Sequence, residues 1–409
     1  MLTDIRRIDE RDERTETMVK ILYVYHGEGT DEIPVTFRRI GYEVEEYPKY
    51  PDNFILNDEV IEELVNTIKD HHITHLFSIH LNNNVAVAAE KTGVKYISYI
   101  WDAPYLRLYS PFGRMKNCYF SLFDKLDCEH FKKDGITNVM YSPLGIEPVR
   151  VKQWNRKADK ALQGNYMHDI CFLGRLYEDN HYDRYIDEIP SDMQKYFESI
   201  FEEAAFKWDG VNRIYGKTGQ NVLDYIHFKN PDFKISTMLD INEVQAFESS
   251  YLVRKIANIE RIAVLNTLAE SYSVWLHTTS KVDKNLLGSV NIGPPVVPGD
   301  ATTLLFAGSK INLNISLKGI EGGTPLRVMD VLAAGGFILT NYCSETAELF
   351  EEDQEIVMYK TPEELFDKVD FYLRHEEERK AIARRGQTKV LECYTLDKIL
   401  TKIMDWVET

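Results

Sequence analysis

The sequence predicts an α/β protein with two doubly wound parallel sheets, and three observations support this fold class. In the first 150 residues, short apolar runs alternate with amphipathic helical segments, an alternation typical of parallel strands joined by helices. The same alternation resumes at about residue 272, after a longer helical stretch. The length of 409 residues also exceeds what one hydrophobic core usually serves, so we expect two domains.

The first half of the chain is expected to contain six strands and three helices. One of these helices has apolar residues at helical spacing behind a capping Asn57. A polar run with two prolines follows the sixth strand and places the domain boundary near residue 150. The strands are predicted at residues 20–25, 42–48, 74–80, 95–101, 118–123 and 138–143, and the helices at 57–70, 84–93 and 124–135.

The second half begins with a strand and turn at "HDICFLGRLYED" and continues with a helical pattern. Thr361 and Glu364 have the spacing of a capping box, with Pro362 at the first helical position. Later strands are predicted at 272–278, 310–316, 337–340 and 355–359, and later helices at 300–309 (capped by Asp300), 361–375 and 395–408. We therefore expect a charged extension at 1–19, a first domain at 20–150, a second domain at 151–394 with a helical insertion at about 182–271, and a C-terminal helix at 395–409.

Composition excludes several classes of protein. The formal net charge of -17 repels nucleic acid and anionic membranes, so we expect no nucleic-acid partner. The five cysteines are scattered without a CxxC pair, which indicates a reducing compartment and no zinc framework. No apolar run is long enough for a transmembrane segment, and the N-terminus lacks the apolar core of a signal peptide. We expect a cytoplasmic protein.

Three polar loops follow strands of the first domain at the edge where ligands of such sheets gather. They contain His26 to Gly29, His80 to Asn83, and Trp101 to Pro104. Turn chemistry is the better explanation of each loop alone, since glycine and asparagine adopt positive φ and proline ends strands. Three such loops at one edge of the sheet favour a cleft more than any one of them does. If a general base is needed, Asp102 is the first candidate, followed by His26 and His80. Asp102 has the alternative role of capping a turn.

The stretch "GIEGGTPLRVMDVLAAGG" combines a flexible turn, a helix start and a charged pair. Pro325 is predicted in the first turn of a helix that runs to Ala334 and ends at two glycines. The preceding amides, at Gly322, Gly323 and Thr324, would then form a phosphate site at the helix N-terminus. Arg327 and Asp330 lie three residues apart, on one face of this helix. They are explained either as an exposed ion pair or as groups that bind a nucleotide.

Two blocks of the sequence resemble the CgeB-like glycosyltransferases, a family of the GT-B type. The first block is "YISYIWDAPYLRLYSPFGRMKNCYFSLFDKLDCEHFKKDGITNVMYSPLGIEP", and the second runs from "SKINLNISLKG" to "DKVDFYL". The resemblance implies two Rossmann-like domains that face each other across a cleft, with a nucleotide-sugar donor held by the second. It also implies that the C-terminal helix returns to the first domain.

The resemblance also assigns candidate site residues. The family's Glu-x7-Glu motif places its ribose-binding carboxylate at Asp330, whereas Glu321, the candidate near the donor sugar, lies one residue further upstream than the motif requires. The motif "FLGR" places a diphosphate-binding arginine at Arg175. The lysine often found about six residues later is replaced by His181, with Arg184 beyond it.

These residues predict a glycosyltransferase that uses a nucleotide sugar, most simply a UDP-sugar, without a metal or a tightly bound cofactor. The chain has no Asp-x-Asp metal motif, and positive side chains and helix amides can stabilise a departing diphosphate. The expected acceptor is a protein or a glycan, such as a spore-surface or flagellar component. Two alternatives stay open: a non-catalytic GT-B-like nucleotide- or glycan-binding protein of a spore or flagellar assembly, and an epimerase or phosphorylase of the same fold.

Overall fold

The chain is described here by a computed structural model that covers residues 18–25, 31–49, 51–52, 54–185, 189–231, 233, 235 and 242–409. Most of the predicted N-terminal extension lies outside these residues. So do His26, one of the candidate bases, and the three residues that follow it.

The first domain contains a six-stranded sheet with the order β2-β1-β3-β4-β5-β6, in which every neighbouring pair is parallel. Its inner strands are apolar on both faces because helices cover both faces of a parallel sheet. The strand order reverses between β1 and β3, which is a ligand-binding position in doubly wound sheets. The strands are β1 Lys20–Val24, β2 Glu43–Tyr47, β3 His75–Ile79, β4 Lys95–Ile100, β5 Cys118–Leu122 and β6 Val139–Tyr141.

The second domain contains another parallel six-stranded sheet, with the order β12-β11-β10-β7-β8-β9. Its order reverses between β7 and β10. The strands are β7 His168–Leu173, β8 Val274–His277, β9 Asn291–Ile292, β10 Ser309–Asn314, β11 Ile338–Asn341 and β12 Val357–Tyr359. The two-residue strand β9 is absent from the prediction because two residues carry no periodic pattern.

Helices cover both sheets. Those around the first are α1 Glu32–Arg39, α2 Asp58–Asp70, α3 Asn83–Thr92 and α4 Lys125–Lys133. The remainder are α5 Pro148–Leu162, α6 Ser191–Ala205, α7 Gln220–Lys229, α8 Glu243–Phe247, α9 Val253–Ala269, α10 Asp300–Ala307, α11 Leu326–Ala333, α12 Ser344–Leu349, α13 Pro362–Arg374, α14 Glu376–Cys393 and α15 Leu396–Glu408. None of these described helices is both long and apolar enough to span a membrane.

The helix starts agree with the sequence in part. The side chain of Asn57 accepts from the amides of Glu59 and Val60, as an N-cap residue does. Helix α10 instead has Gly299 at its N-cap, with Asp300 inside the first turn, because the chain enters this helix at a φ of 123° that glycine tolerates. Helix α11 has Pro325 as its N-cap residue and begins at Leu326.

Helix α5 occupies the segment that the sequence predicts as a polar linker. Pro148 stands in its first turn and the side chain of Glu147 accepts from the amide of Arg150. Only Val151 and Ala158 of this helix are buried, so its apolar periodicity is too weak to reveal it.

The predicted helical insertion forms its own apolar core beside the second sheet. Helices α8 and α9 are joined through a π-helical turn at Glu248–Leu252, so they form one continuous helix. Trp208 attaches the insertion to the second sheet: it is buried, and its ring packs edge-on against Tyr359 of β12, with 4.8 Å between the ring centroids. Its indole N–H donates to Glu260 Oε1 over 2.7 Å. Trp208 is therefore a packing residue and not part of the insertion's surface.

Helix α15 crosses from the second domain to the first sheet. Its backbone pairs with the first domain where the amide of Leu396 donates to the carbonyl of Ile146 over 2.8 Å. Its buried face packs on the core of the first sheet, and this face consists of Ile399, Leu400, Ile403, Met404 and Val407. The last helix therefore ties the two domains together.

Replacing Ile403 with alanine is expected to lower the free energy of unfolding by about 2–5 kcal/mol, because Ile403 is fully buried in the first domain's core. Thr401→Ala, on the exposed face of the same helix, should change it by less than about 0.5 kcal/mol. Urea unfolding followed by circular dichroism compares the two variants. Equal stabilities would contradict the packing of α15 on the first sheet.

Candidate functional site

A cavity of about 680 Å³ lies between the two domains. Both strand-order reversals open onto it: Asp31 to Ile33 follow β1 in the first domain, and Leu173 to Arg175 end β7 in the second. This is the position where doubly wound sheets bind ligands. Its volume lies within the range of small-molecule pockets.

Arg327 and Asp330 face this cavity from α11. The Arg327 guanidinium lies over the ring of Phe306, 5.1 Å from its centroid. Among the residues that the structure describes, none forms a hydrogen bond or an ion pair within 4.0 Å with either side chain. Burial raises the pKa of Asp330 to about 6, against the opposing effect of Arg327. The two groups therefore do not form an exposed ion pair.

Acidic and basic groups of the first domain lie opposite α11. Arg150 bridges two carboxylates, with N–O distances of 2.6 Å to Asp31 and 3.6 Å to Glu32. Burial raises the pKa of Glu32 to about 7; Arg150 opposes this shift, and the nearby Glu147, Asp31 and Asp330 carboxyls add to it. The cleft therefore contains carboxyls that gain or lose their charge near neutral pH.

Arg175 lines the same cavity from the turn after β7. Its Nε donates to Ser280 Oγ over 3.2 Å, and one of its terminal nitrogens lies 3.2 Å from Asp179 Oδ2. Both contacts are at the exposed surface, so the guanidinium can exchange them for a ligand at small free-energy cost.

His277, which the sequence analysis did not single out, organises one wall of the cavity. Its Nδ1 lies 2.9 Å from the carbonyl of Pro294, which only accepts, so Nδ1 carries the proton of the ring. Its Nε2 lies 3.3 Å from His168 Nε2, and its own carbonyl accepts from the Gly174 amide over 3.0 Å. A side chain at Gly293 would lie 2.1 Å from the ring. His277 thus holds together three segments that line the cavity, 173–175, 278–279 and 296–299.

The glycine pair before α11 is used for contact between the domains. The amide of Gly322 donates to Asp124 Oδ2 over 3.1 Å. A Cβ on Gly323 would lie 2.8 Å from the ring of Phe123. Thr324 is fully buried and shares a hydrogen bond of 2.9 Å with Thr346. None of these three predicted phosphate-binding residues lines the cavity in this structure.

Asp102, His80 and Glu321, the described candidates for catalysis, lie outside the lining of this cavity. The side chain of Asp102 is 74% exposed, and its Oδ2 lies 3.5 Å from Nε2 of His80, whose ring stacks on Tyr105. Glu321 accepts from the side-chain amide of Asn212 over 2.8 Å and lines a different cavity. Of the predicted site residues, the structure brings Arg175, Arg327 and Asp330 together at the interdomain cavity.

Two parallel six-stranded sheets with a cleft between them match solved glycosyltransferases along the whole chain. The fold is GT-B. A glycosyltransferase from Rickettsia africae superimposes with a TM-score of 0.50 at 10% identity, over 96% of this chain and 98% of that one. Anabaena HepE in complex with UDP-glucose superimposes with a TM-score of 0.50 at 12% identity, over 95% of this chain and 99% of that one. AviGT4, a glycosyltransferase of avilamycin A biosynthesis, superimposes with a TM-score of 0.51 at 13% identity, over 95% of this chain and 97% of that one.

Residues 264–405 match a family of proteins described as glycosyl transferase-like. No curated protein matches the sequence. The matched segment contains β8 to β12 and α11, and therefore Arg327 and Asp330. This part of the second domain is therefore similar to glycosyl transferase-like proteins, and both of these charged groups lie on its cleft side.

Gly323→Ala is expected to lower the free energy of unfolding by about 1–3 kcal/mol, because the new methyl group meets the ring of Phe123. Gly288→Ala, where the nearest atom lies 3.9 Å away, should be close to neutral. Combining Gly323→Ala with Phe123→Leu should cost less than the sum of the two single changes. Additive losses, measured by chemical unfolding, would show that the contact is not the reason for the glycine.

Proposed function

We propose that this protein is a glycosyltransferase that moves a sugar from a nucleotide-sugar donor to a protein or glycan acceptor. The observation that carries the proposal is the pair of charged groups on α11. Arg327 and Asp330 face a cavity without a hydrogen-bonded partner among the described residues. Both side chains are half-buried at the cavity wall, and a ligand with both acceptor and donor groups would satisfy the two.

A nucleotide sugar has this combination of groups. Its ribose hydroxyls would donate to Asp330, and its diphosphate would accept from Arg327 and from Arg175 at the mouth of the cavity. The base would lie on the wall formed by 278–279 and 296–299, which His277 holds in place. The carboxylates around Arg150 face the opposite side of the same cavity.

Sugar transfer requires stabilisation of the diphosphate that leaves. Guanidinium groups in a site shielded from water stabilise such developing charge strongly, because their positions are fixed before the reaction. Arg175 and Arg327 would supply this charge, and the proposed reaction needs no metal. The amides of Gly322 and Gly323 would take part only if the contact with Asp124 opened.

The donor is proposed to be a UDP-sugar, and the match to HepE, solved with UDP-glucose, supports testing this donor first. The acceptor is proposed to be a protein or a glycan, as in the CgeB-like proteins that the sequence resembles. Hydrolysis of UDP-, GDP-, TDP- and CMP-sugars, with and without glycan acceptors, tests the activity. Binding of nucleotides without turnover of any donor would favour a non-catalytic binding protein.

Asp330→Asn should weaken UDP binding by about ten- to hundredfold, because it removes a charged acceptor worth about 1.5–3 kcal/mol. Calorimetric titration measures this. Asp367→Asn, on the exposed face of α13, is the matched control and should bind like the wild type. Unchanged affinity in Asp330→Asn, with the wild type binding, would contradict the role of Asp330.

The affinity for UDP-glucose is expected to peak between pH 6 and pH 7. Asp330 loses its charge as the pH falls through about 6, which removes the ionised ribose acceptor. Glu32 gains charge as the pH rises through about 7, which repels the diphosphate. UDP-glucose is suited to this test because both ends of its diphosphate are esterified, so the ligand does not titrate in this range.

Calorimetry between about pH 5 and about pH 8.5 measures the profile. In Asp330→Asn, the affinity for UDP-glucose should no longer fall at low pH. In Glu32→Gln, it should no longer fall at high pH. A flat profile in the wild type would show that neither carboxyl contacts the nucleotide.

A further inference from the structure

A second cavity, of about 420 Å³, lies between the first domain and the helical insertion. Helix α4 and the loops before it form one wall, the insertion forms another, and Glu321 closes the site from the second domain. It shares no lining residue with the donor cavity. We call it the insertion pocket. Its residues are Pro104, Leu106, Tyr109, Asp127, His130, Phe131, Lys133, Asp134, Asn212, Tyr215, Gln245, Ser249 and Glu321.

Asp127 is the unusual member of the insertion pocket. It is 94% buried in the first turn of α4, and its Oδ2 has no hydrogen-bond partner. Burial raises its pKa well above the ordinary range, and the nearby Asp124 and Glu321 add to this effect. Buried polar atoms almost always have a partner, so an exception at the wall of a cavity indicates a missing ligand.

Other groups in the pocket provide both hydrogen bonds and flat apolar surface. The side-chain amide of Asn212 donates to Oε1 of Glu321, and no described residue forms a hydrogen bond with the second oxygen, Oε2. The hydroxyl group of Tyr215 is buried beside Ser249, whose side chain also lines the pocket. The side chains of Tyr109 and Phe131 lie in the opposite wall, with 5.0 Å between the ring centroids and an angle of 49° between the ring planes. Carboxyls, a hydroxyl and aromatic rings are the groups that recognise sugar hydroxyls and the apolar faces of sugar rings.

We propose that the insertion pocket binds a neutral saccharide unit of the acceptor. This proposal rests on the proposed function, since it supplies the acceptor side of the same reaction. The acidic groups of Asp134 and Glu321 offset the positive charge of Lys133, so the pocket gives phosphates and acidic sugars no net attraction. A neutral saccharide offers hydroxyls that both donate and accept, and it leaves no unpaired charge in the pocket.

The pocket is connected to the donor cavity through one short segment. Glu321 lines the insertion pocket, and Arg327 and Asp330, nine residues or fewer further along, line the donor cavity. Between them, the amide of Gly322 is held by Asp124, which is also the N-cap of α4. An acceptor in the insertion pocket would therefore lie beside the segment that contacts the donor.

Saturation-transfer NMR with methyl glycosides of glucose, galactose, mannose, rhamnose and N-acetylglucosamine tests the proposal, with glucuronic acid as the acidic comparison. At least one neutral glycoside should bind, glucuronic acid should not, and added UDP should not displace the glycoside. Asp127→Leu should weaken binding by about fivefold or more, and Tyr215→Phe by about threefold, since each removes hydrogen-bonding groups. Glu129→Ala, exposed on the same helix, is the matched control and should bind like the wild type.

Each of three results would overturn the proposal: no glycoside binds to the folded wild type, binding survives Asp127→Leu and Tyr215→Phe, or UDP displaces the glycoside. If Asp127→Leu does not fold, glycoside binding by Tyr215→Phe alone tests the proposal. UDP titration into the same samples separates the two hypotheses. If the protein binds UDP but no glycoside, the hypothesis of an acceptor site is rejected and the proposed function stands. Glycoside binding without binding of any nucleotide removes the proposed function and leaves a saccharide site.

Discussion

A buried carboxylate, that of Asp124, joins the two domains beside the segment that leads from Glu321 of the insertion pocket to Arg327 and Asp330 of the donor cavity. One of its oxygens caps α4 by accepting from the amides of Leu126 and Asp127, and the other accepts from the amide of Gly322. Because this bond brings two backbone segments together, Gly322 and Gly323 have no room for side chains. Tyr141 adds a second bridge by donating to Glu345 over 2.7 Å. The spacing of the two sheets, and hence the size of both cavities, depends on these contacts.

The cavities differ in the charges that they leave without partners. The donor cavity contains a guanidinium and a carboxylate on α11, a combination that suits a ligand with both phosphate and hydroxyl groups. The insertion pocket contains carboxyls with few cations, which suits a neutral ligand rich in hydroxyls. Both sets of groups are expensive to bury without a ligand, whereas residues whose only role is packing would be paired or apolar. The proposed division into a donor side and an acceptor side rests on these electrostatics.

Local patterns were sufficient for most of the architecture. The six strands of the first domain were predicted because buried parallel strands are continuous apolar runs, and Asn57 was recognised because capping depends only on neighbouring amides. The failures are local too. Helix α5 has just two buried residues. Helix α10 begins at Asp300, the residue predicted as its cap, because Gly299 adopts a positive φ and takes the N-cap position. Of the candidate site, Arg327 and Asp330 were found by their spacing on one helix face, and Arg175 by its motif.

The sequence by itself determined the α/β class, the two sheets and the amphipathic last helix, because periodicity and capping act over a few residues. Only the tertiary structure decided which groups face a ligand. Whether Arg327 and Asp330 pair in solvent or face a cavity depends on the domain that lies opposite them. Whether the amide of Gly322 is free depends on Asp124, 198 residues away. Likewise, Asp127 is an ordinary residue of α4 in the sequence, and its unpaired oxygen exists only because the insertion and Glu321 enclose it. These contacts join residues that are distant along the chain, and no local pattern encodes them.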